Sequence, residues 1–446
     1  MVAYTLLYAL SVIAINPWGD SQGPIWVLPK VVVLTVLLVL NSFVIFRHAR
    51  AIRVDFAWRR VAYLWAALIT TGLLSTFLSP APRRSLLGQS IYGDGWLYWF
   101  LIAGLVLTNA LVVRVEPTAF KAQLRGLLLG GLVFAASIFP QLLDKSLDYT
   151  VRSGQFTPAN SEVLQSGVHV DHQPIGLTSH RGHASAVVAL TCLLALVSLI
   201  KRWLNPWLVW PVFLVSSLAL WFTDSRGGLL AGLLGLLYLG WYALKTRRGR
   251  ALFGAVMTLL VLSGGVYILL QRGADIEVRE LPDLDESVVN LTSNRSELWQ
   301  QALWAVGQRP LLGYGFNGFG TAQPFIHART DPSIQEVLEI GDIYYTYTDG
   351  ERIRQGHIEE FYNKAHNVVL DWLLNVGVLG FLLYASLLLF LITITARSPV
   401  ASLEVLTVAY LAFTLTWYDS AQFTFLGFWG LSVGLGIHRD TTRLRT

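Results

Sequence analysis

Apolar and polar positions alternate along the chain on the scale of whole helices. Uninterrupted apolar runs fall at about residues 2–16, 25–46, 61–78, 96–113, 125–143, 182–200, 206–222, 226–244, 251–270, 367–396, 399–417 and 421–437. A helix needs about 20 apolar residues to cross a bilayer, so this pattern predicts about 12 transmembrane helices and an all-α integral membrane protein. The first run is short, and 367–396 is long enough to tilt strongly. One polar stretch, 271–366, separates the ninth and tenth runs. The expected organisation is therefore 1–270 for spans one to nine, 271–366 for a loop subdomain on the outer side, and 367–446 for spans ten to twelve with a tail.

The long loop carries patterns of its own. "SNRSELWQQALWAVGQRP" reads as an amphipathic helix: Asn294 is an N-cap, Glu297 three residues on completes a box-like pair, and Pro310 lies beyond the end. Its Trp299 and Trp304 suit a membrane interface. "DIYYTYTDGERIRQ" alternates around Asp349–Gly350, a hairpin signal. The loop is thus expected to fold as a small cap. No internal repeat or low-complexity segment is evident.

Composition agrees: of 446 residues, 54% are hydrophobic and 14% charged, against about 25% charged in soluble domains. The single cysteine, Cys192, excludes an intramolecular disulfide framework. The first apolar run lacks a basic leader and is soon followed by another, so it reads as a retained span. Charge sets the orientation. The connections at 47–60, 114–125, 201–202 and 245–250, with Arg397 and the tail 438–446, hold more than half of the chain's 33 lysines and arginines. The loop at 271–366 holds 8 basic and 15 acidic residues. By the positive-inside rule the basic set and both termini are cytoplasmic, and the long loop is outside.

That orientation singles out three positions. "LTSHRGHASAVVAL", "WFTDSRGGLLAGLL" and "NKAHNVVLDWLL" each start a span from the outer side, with Arg181, Arg226 and His366 at the N-termini. A helix N-terminus carries partial positive charge and disfavours arginine, and outer-side arginines oppose the topological bias. An arginine placed against both tendencies points to an anion, for which free N–H groups and a guanidinium fork are suited. Gly182, Gly227 and Gly228 allow close backbone approach, and Ser179, Thr223, Asp224 and Ser225 are available caps. The bland alternative is snorkelling, or pairing with Asp224. His366 reads either as a local cap or as a general base kept neutral by the positive helix end and neighbouring arginines.

Other features carry less. "GYGFNGFG" (313–320) contains G-x-G-x-x-G without a βαβ context, which argues against a dinucleotide site. His172, His180 and His183 have no standard metal-ligand spacing, and no metal or other cofactor is expected. The loop 79–95, with Arg83, Arg84, Tyr92 and Asp94, is either a substrate contact or a polar turn. Glu359 and Glu360 precede His366 and are either its orienting groups, a sugar contact, or solvated loop acids.

At these residues the chain resembles the O-antigen ligase/polymerase superfamily of multi-span membrane glycosyltransferases. The resemblance rests on "HRGHASAVVAL" around Arg181, "SRGGLLAGLLGLL" after Ser225, "RSELWQQALWAVGQRPLLGYGFNGFG" from Arg295, and "AHNVVLDWLLNVGVLGFLLY" from Ala365. The first five spans add little beyond hydropathy. The resemblance implies a GT-C-like fold in the inner (plasma) membrane, with the active site on the periplasmic face. It also implies a polyprenyl-diphosphate-linked glycan donor, a glycan or lipid A-core acceptor, no nucleic acid, and inverting transfer without metal. His366 matches the family's essential histidine, and Arg181 and Arg226 its outer arginines. Arg295, Asn367, His183, Tyr92 and Glu360 are further candidates for diphosphate or sugar contact. A glycan polymerase with the same chemistry is the alternative. A small-anion transporter of bicarbonate type and a lipid-linked glycan flippase remain rivals from other classes; the first calls for a site near the bilayer midplane and the second for a polar path through the bundle, whereas these ionisable residues gather at one face.

Overall fold

The computed structural model describes residues 1–142, 174–245, 295–341, 344–358 and 363–438, strand residues 151–152 and 155–156, and part of 250–264. Its N-terminal half contains α1 (Val2–Ile13), α2 (Leu28–Arg47), α3 (Phe56–Phe77), α4 (Pro82–Leu87), α5 (Trp96–Val115), α6 (Thr118–Ala136) and α7 (Ile138–Gln141). A two-residue ladder pairs β1 (Val151–Arg152) with β2 (Gln155–Phe156), and α8 (Arg181–Lys201), α9 (Pro206–Phe222) and α10 (Arg226–Ala243) follow. The helices start where local chemistry satisfies their free N–H groups. Asp55 accepts from Trp58 N at 2.8 Å ahead of α3, and Asn205 accepts from Trp207 N at 3.0 Å ahead of α9, where Pro206 takes the first helical position.

Among the described residues, six helical stretches are long and apolar enough to cross a membrane: Gly23–Arg47, Phe56–Phe77, Trp96–Val115, Thr118–Gln141, Arg181–Lys201 and Val368–Ala396. Four more apolar helices, including α1 and α9, are 10–17 residues long. The ninth apolar run, 251–270, lies largely outside the described residues. Helix α8 occupies the centre, with 94% of its apolar stretch buried, between α9 and α10. α1 packs on α6, and α2 on α5. Polar side chains tie the bundle where lipid offers no alternative partner: Asn109 of α5 and Gln123 of α6 exchange hydrogen bonds, and Gln123 also accepts from Trp429 Nε1 at 2.9 Å.

Residues 295–358 form a compact unit. It comprises α11 (Arg295–Gln308), α12 (Gly318–Thr330) and an antiparallel sheet of β3 (Glu336–Ile340), β4 (Tyr344–Thr348) and β5 (Ile353–His357). The β4–β5 hairpin turns at Asp349–Gly350, with Gly350 at φ 93°. Asn294 lies outside the described residues. Leu298, Ala302, Tyr314, Phe319 and Ile326 share one core with Leu370 and Leu374, so this unit packs on the helix that follows it.

Two C-terminal spans depart from the expected helices. In place of 399–417, α14 (Val405–Thr414) has ten residues, preceded by turns. Ser398 Oγ donates to Thr395 O and accepts from Val400 N, and Glu404 Oε2 accepts from Ser402 N, so side chains compete with the helical ladder. The last helix among the described residues is α15 (Thr424–Ile437), packed on α5 and α14. The second departure is α13 (Val368–Ala396), which is not one tilted rod: Gly377 at φ 66°, ψ −172° breaks it. The "LLGYGFNG" segment plugs the break. Tyr314 N donates to Leu374 O (2.7 Å), Gly315 N to Asn375 O (3.0 Å), and Val378 N to Pro310 O (2.8 Å). Ser75 of α3 donates to both Leu312 O and Asn375 O. The glycines at 313 and 315 stand at φ 69° and 87°, which explains the glycine-rich motif as backbone geometry.

A Cβ at Gly377 would collide with the Leu311 carbonyl, in a backbone region disfavoured for L-residues. Gly377→Ala is expected to destabilise the protein by about 1–3 kcal/mol, measured as a lowered thermal midpoint in detergent; an unchanged midpoint would show that the break is not fixed.

Candidate active site

The peptide 363–366 is held residue by residue. Arg84, 4% exposed, donates to Asn363 Oδ1 at 2.6 Å. Lys364 forms a buried ion pair with Asp94. Ala365 N donates to Asp371 Oδ1 at 2.9 Å, and Ala365 O accepts from Trp299 Nε1 at 3.0 Å. His366 Nδ1 lies 3.0 Å from Lys364 O, so Nδ1 carries the proton and, in the neutral ring, Nε2 is the acceptor. Asn367 caps α13 by accepting from Val369 N and Leu370 N. His366 itself has φ 53°, a left-handed conformation that costs energy in a non-glycine residue and clusters at functional sites.

The turn between α14 and α15 supplies the wall opposite. Trp417 and Tyr418 meet the His366 ring edge to face, with centroids at 5.2 and 5.0 Å. The Arg295 guanidinium lies 5.3 Å from the Trp417 ring centre, and His180 packs on the same indole at 5.1 Å. His183 is buried against Trp417, Tyr418 and Phe423. Tyr92 is buried as well, between Tyr418 at 4.8 Å and the Lys364 ammonium at 5.4 Å from its ring. It is part of the wall's support, as is the loop 79–95 that carries it.

Arg181 and Arg226 open α8 and α10 beside this wall. Arg181 reaches Asp224 Oδ2 at 3.9 Å, a partly exposed pair. Arg226 is exposed and close enough to Arg295 to disfavour its charge. The caps differ from those expected: His180 Nδ1, and not Ser179, accepts from Gly182 N at 2.9 Å, and Ser225 precedes α10 without a side-chain cap bond. The glycines after the arginines are filled by protein. A Cβ at Gly182 would stand 2.7 Å from Trp417, and one at Gly228 would strike Ser185, so these residues let α8, α10 and the Trp417 turn close on one another. Glu359 and Glu360, like His172, lie outside the described residues.

Electrostatics follows from burial and crowded cations. His366 is pushed down to about 3, first by burial and then by Arg295, with the Lys364 carbonyl opposing. His180 is pushed down to about 4 by burial and then Arg181. Arg295 lies below the usual arginine value through burial, with Tyr418 opposing and Arg226 reinforcing. The face therefore presents neutral imidazoles among three arginines. Among the described residues, no group of three or more His, Cys, Asp or Glu side chains could hold a metal ion.

Trp417, Tyr418 and Lys364 are the members that sequence reasoning missed, and Asp94 was noted only as part of the loop 79–95. The sequence pattern put Trp417 at the end of an apolar run at 399–417, whereas it lies in the turn after α14, and the adjacent aromatic pair Trp417–Tyr418 was the available signal. Asp94 and Lys364 are paired across 270 positions, a relation a single sequence does not display. Comparison with known proteins adds one positive result: residues 211–385 match the family model described as O-antigen ligase. No curated protein matches the chain. The matched segment contains Arg226, Arg295 and His366, and excludes Arg181, Tyr92 and Trp417.

Two outcomes follow from this geometry. Lys364→Met leaves Asp94 buried and unpaired and is expected to cost about 3–5 kcal/mol, whereas Lys364→Met combined with Asp94→Asn costs less; thermal unfolding of both variants checks this. His366 is lowered from an unfolded value of about 6.5, so its neutral form stabilises the fold above that pH and the contribution is lost as pH falls toward 3. Stability should drop as pH falls through this window, and His366→Asn should flatten part of the drop, the remainder including His180.

Proposed function

We propose that the chain, which matches the O-antigen ligase family model over residues 211–385, is an O-antigen ligase-like glycosyltransferase. It takes a glycan from a polyprenyl-diphosphate carrier to an acceptor hydroxyl at the periplasmic face of the plasma membrane, with both termini cytoplasmic. The observation that carries this reading is the convergence of His366, Arg295 and the N-termini bearing Arg181 and Arg226 around one aromatic wall.

In this mechanism the diphosphate of the donor lies against Arg181 and Arg226, with Arg295 as a third contact. The acceptor oxygen attacks the anomeric carbon while the bond from that carbon to the phosphate oxygen breaks. Negative charge develops on the leaving diphosphate, where fixed guanidinium groups stabilise it. The acceptor's proton passes to Nε2 of His366, which burial and Arg295 keep neutral at working pH. Direct displacement inverts the anomeric centre. Asn367 fixes the start of α13 below the histidine. His183 and Tyr92 back the wall, and Glu360 contributes to acceptor binding from the adjoining segment. Lipid A-core as acceptor makes the protein a ligase; a second lipid-linked glycan makes it a polymerase with the same residues in the same roles.

The test is transfer by purified protein supplied with lipid-linked donor and each acceptor in turn. His366→Asn is expected to lower the rate about 10²–10⁴-fold, as removal of a positioned base does, while the variant stays folded and inserted. Arg226→Ala should lower it as well. Wild-type rates in folded His366→Asn and Arg226→Ala proteins would sink the assignment, and uptake of a small anion independent of His366 would replace it with a transporter.

A further inference from the structure

The histidine and the arginines come from separate helices, and one side chain lies against the ends of several of them. Trp417 touches the N-terminal ends of three helices at once. Its ring packs against Gly182, directly after Arg181 on α8. It takes the Arg295 guanidinium of α11 near its ring face, at 5.3 Å. It meets the His366 ring, ahead of α13, edge to face at 84°. Tyr418 stacks on it with planes 24° apart, and His180 lies over it with planes 32° apart.

Two details separate this arrangement from ordinary core packing. Trp417 is only half-buried, on a turn between α14 and α15, where a large aromatic is not required to fill a core. Its indole N–H is shielded from solvent and has no hydrogen-bond partner among the described residues. The indole is therefore held in place through its ring surface, and its polar atom contributes nothing that a plain aromatic ring would lack. A cation on an aromatic face keeps its charge while its direction is fixed, which a carboxylate partner would not allow without neutralising it.

We propose that Trp417 is a positioning residue for the transfer reaction: it orients Arg295 toward the leaving group and holds the His366 ring so that its acceptor nitrogen faces the incoming hydroxyl. This rests on the reading of His366 and Arg295 given above. A base displaced by about 1 Å loses on the order of 10²-fold in rate, so the indole matters through geometry without touching substrate. The residue lies outside the segment 211–385 that matches the family, so the family match does not assign it.

The experiment compares Trp417→Leu and Trp417→Phe in purified full-length protein, with two readouts. The first is transfer. Trp417→Leu should lose about 10–100-fold at a melting temperature close to wild type, and Trp417→Phe should recover most of that loss. In the double variant with Arg295→Ala the losses should be less than multiplicative, because the part of the Trp417→Leu loss that acts through the Arg295 guanidinium is already gone, and the part through His366 remains. The second readout needs no activity. Acylation of His366 by diethylpyrocarbonate, followed by mass spectrometry, should run several-fold faster in Trp417→Leu and at the wild-type rate in Trp417→Phe. Wild-type transfer by folded Trp417→Leu, fully multiplicative losses, or unchanged acylation of His366 would each overturn the proposal. If His366→Asn transfers at the wild-type rate while acylation still depends on Trp417, the glycosyltransferase reading fails and the positioning contact stands.

Discussion

The break at Gly377 is the constraint on which the rest of the site depends. Backbone polar groups at membrane depth must find partners, and a helix that stops hydrogen-bonding to itself exposes several at once. Here the carbonyls of Leu374 and Asn375 and the N–H of Val378 are taken up by the segment from Pro310 to Gly315. That exchange welds the cap to the bundle. It also frees the first turns of α13 from the direction of the span below, so that they join the core of the cap through Leu370 and Leu374. The residues ahead of α13 then meet Trp299 from the cap and Asp94 from the loop after α4. A straight helix would offer neither the kink nor the docking seam.

The electrostatics of the face follow from the same packing. Arginines at helix N-termini are repelled by the helix dipole, and three of them near one another repel each other further. The Arg181–Asp224 pair is long and partly exposed, and such pairs are worth little. An aromatic face for Arg295 lowers the cost without cancelling the charge. The imidazoles respond by staying neutral. The face is thus poised to attract an anion and to accept a proton, two properties that a neutralised cluster would not combine.

Much of this was legible in the sequence. Hydropathy located most of the described helices, six of them long and apolar enough to cross a membrane, and the hairpin at Asp349–Gly350 and the helix from Arg295 carried local signals strong enough to read. The arginines at the starts of α8 and α10, and His366, were visible because they stand where general tendencies disfavour them. What stayed hidden depends on contacts between distant positions. Gly377 looked like one more glycine in a long span, since nothing nearby announces that residues 310–315 will fill its break. The glycines after Arg181 and Arg226 were recognised as sites of close approach, but the approaching group is protein: Trp417 for Gly182 and Ser185 for Gly228. Trp417 itself was hidden by its setting, a short turn whose importance arises from three partners between 51 and 235 positions away.

The placement of Trp417 bears on the order in which the protein is made. A chain threaded into the membrane from its N-terminus acquires α8, α10, the cap and α13 in that sequence, and with them every arginine and the histidine of the face. The wall that orders them arrives only with the hairpin of α14 and α15. Until that hairpin inserts, Arg295 lacks its aromatic face and His366 lacks two of the rings that enclose it. Assembly of this wall therefore waits on that hairpin, and a protein interrupted before it carries Arg295 and His366 without the rings that enclose them.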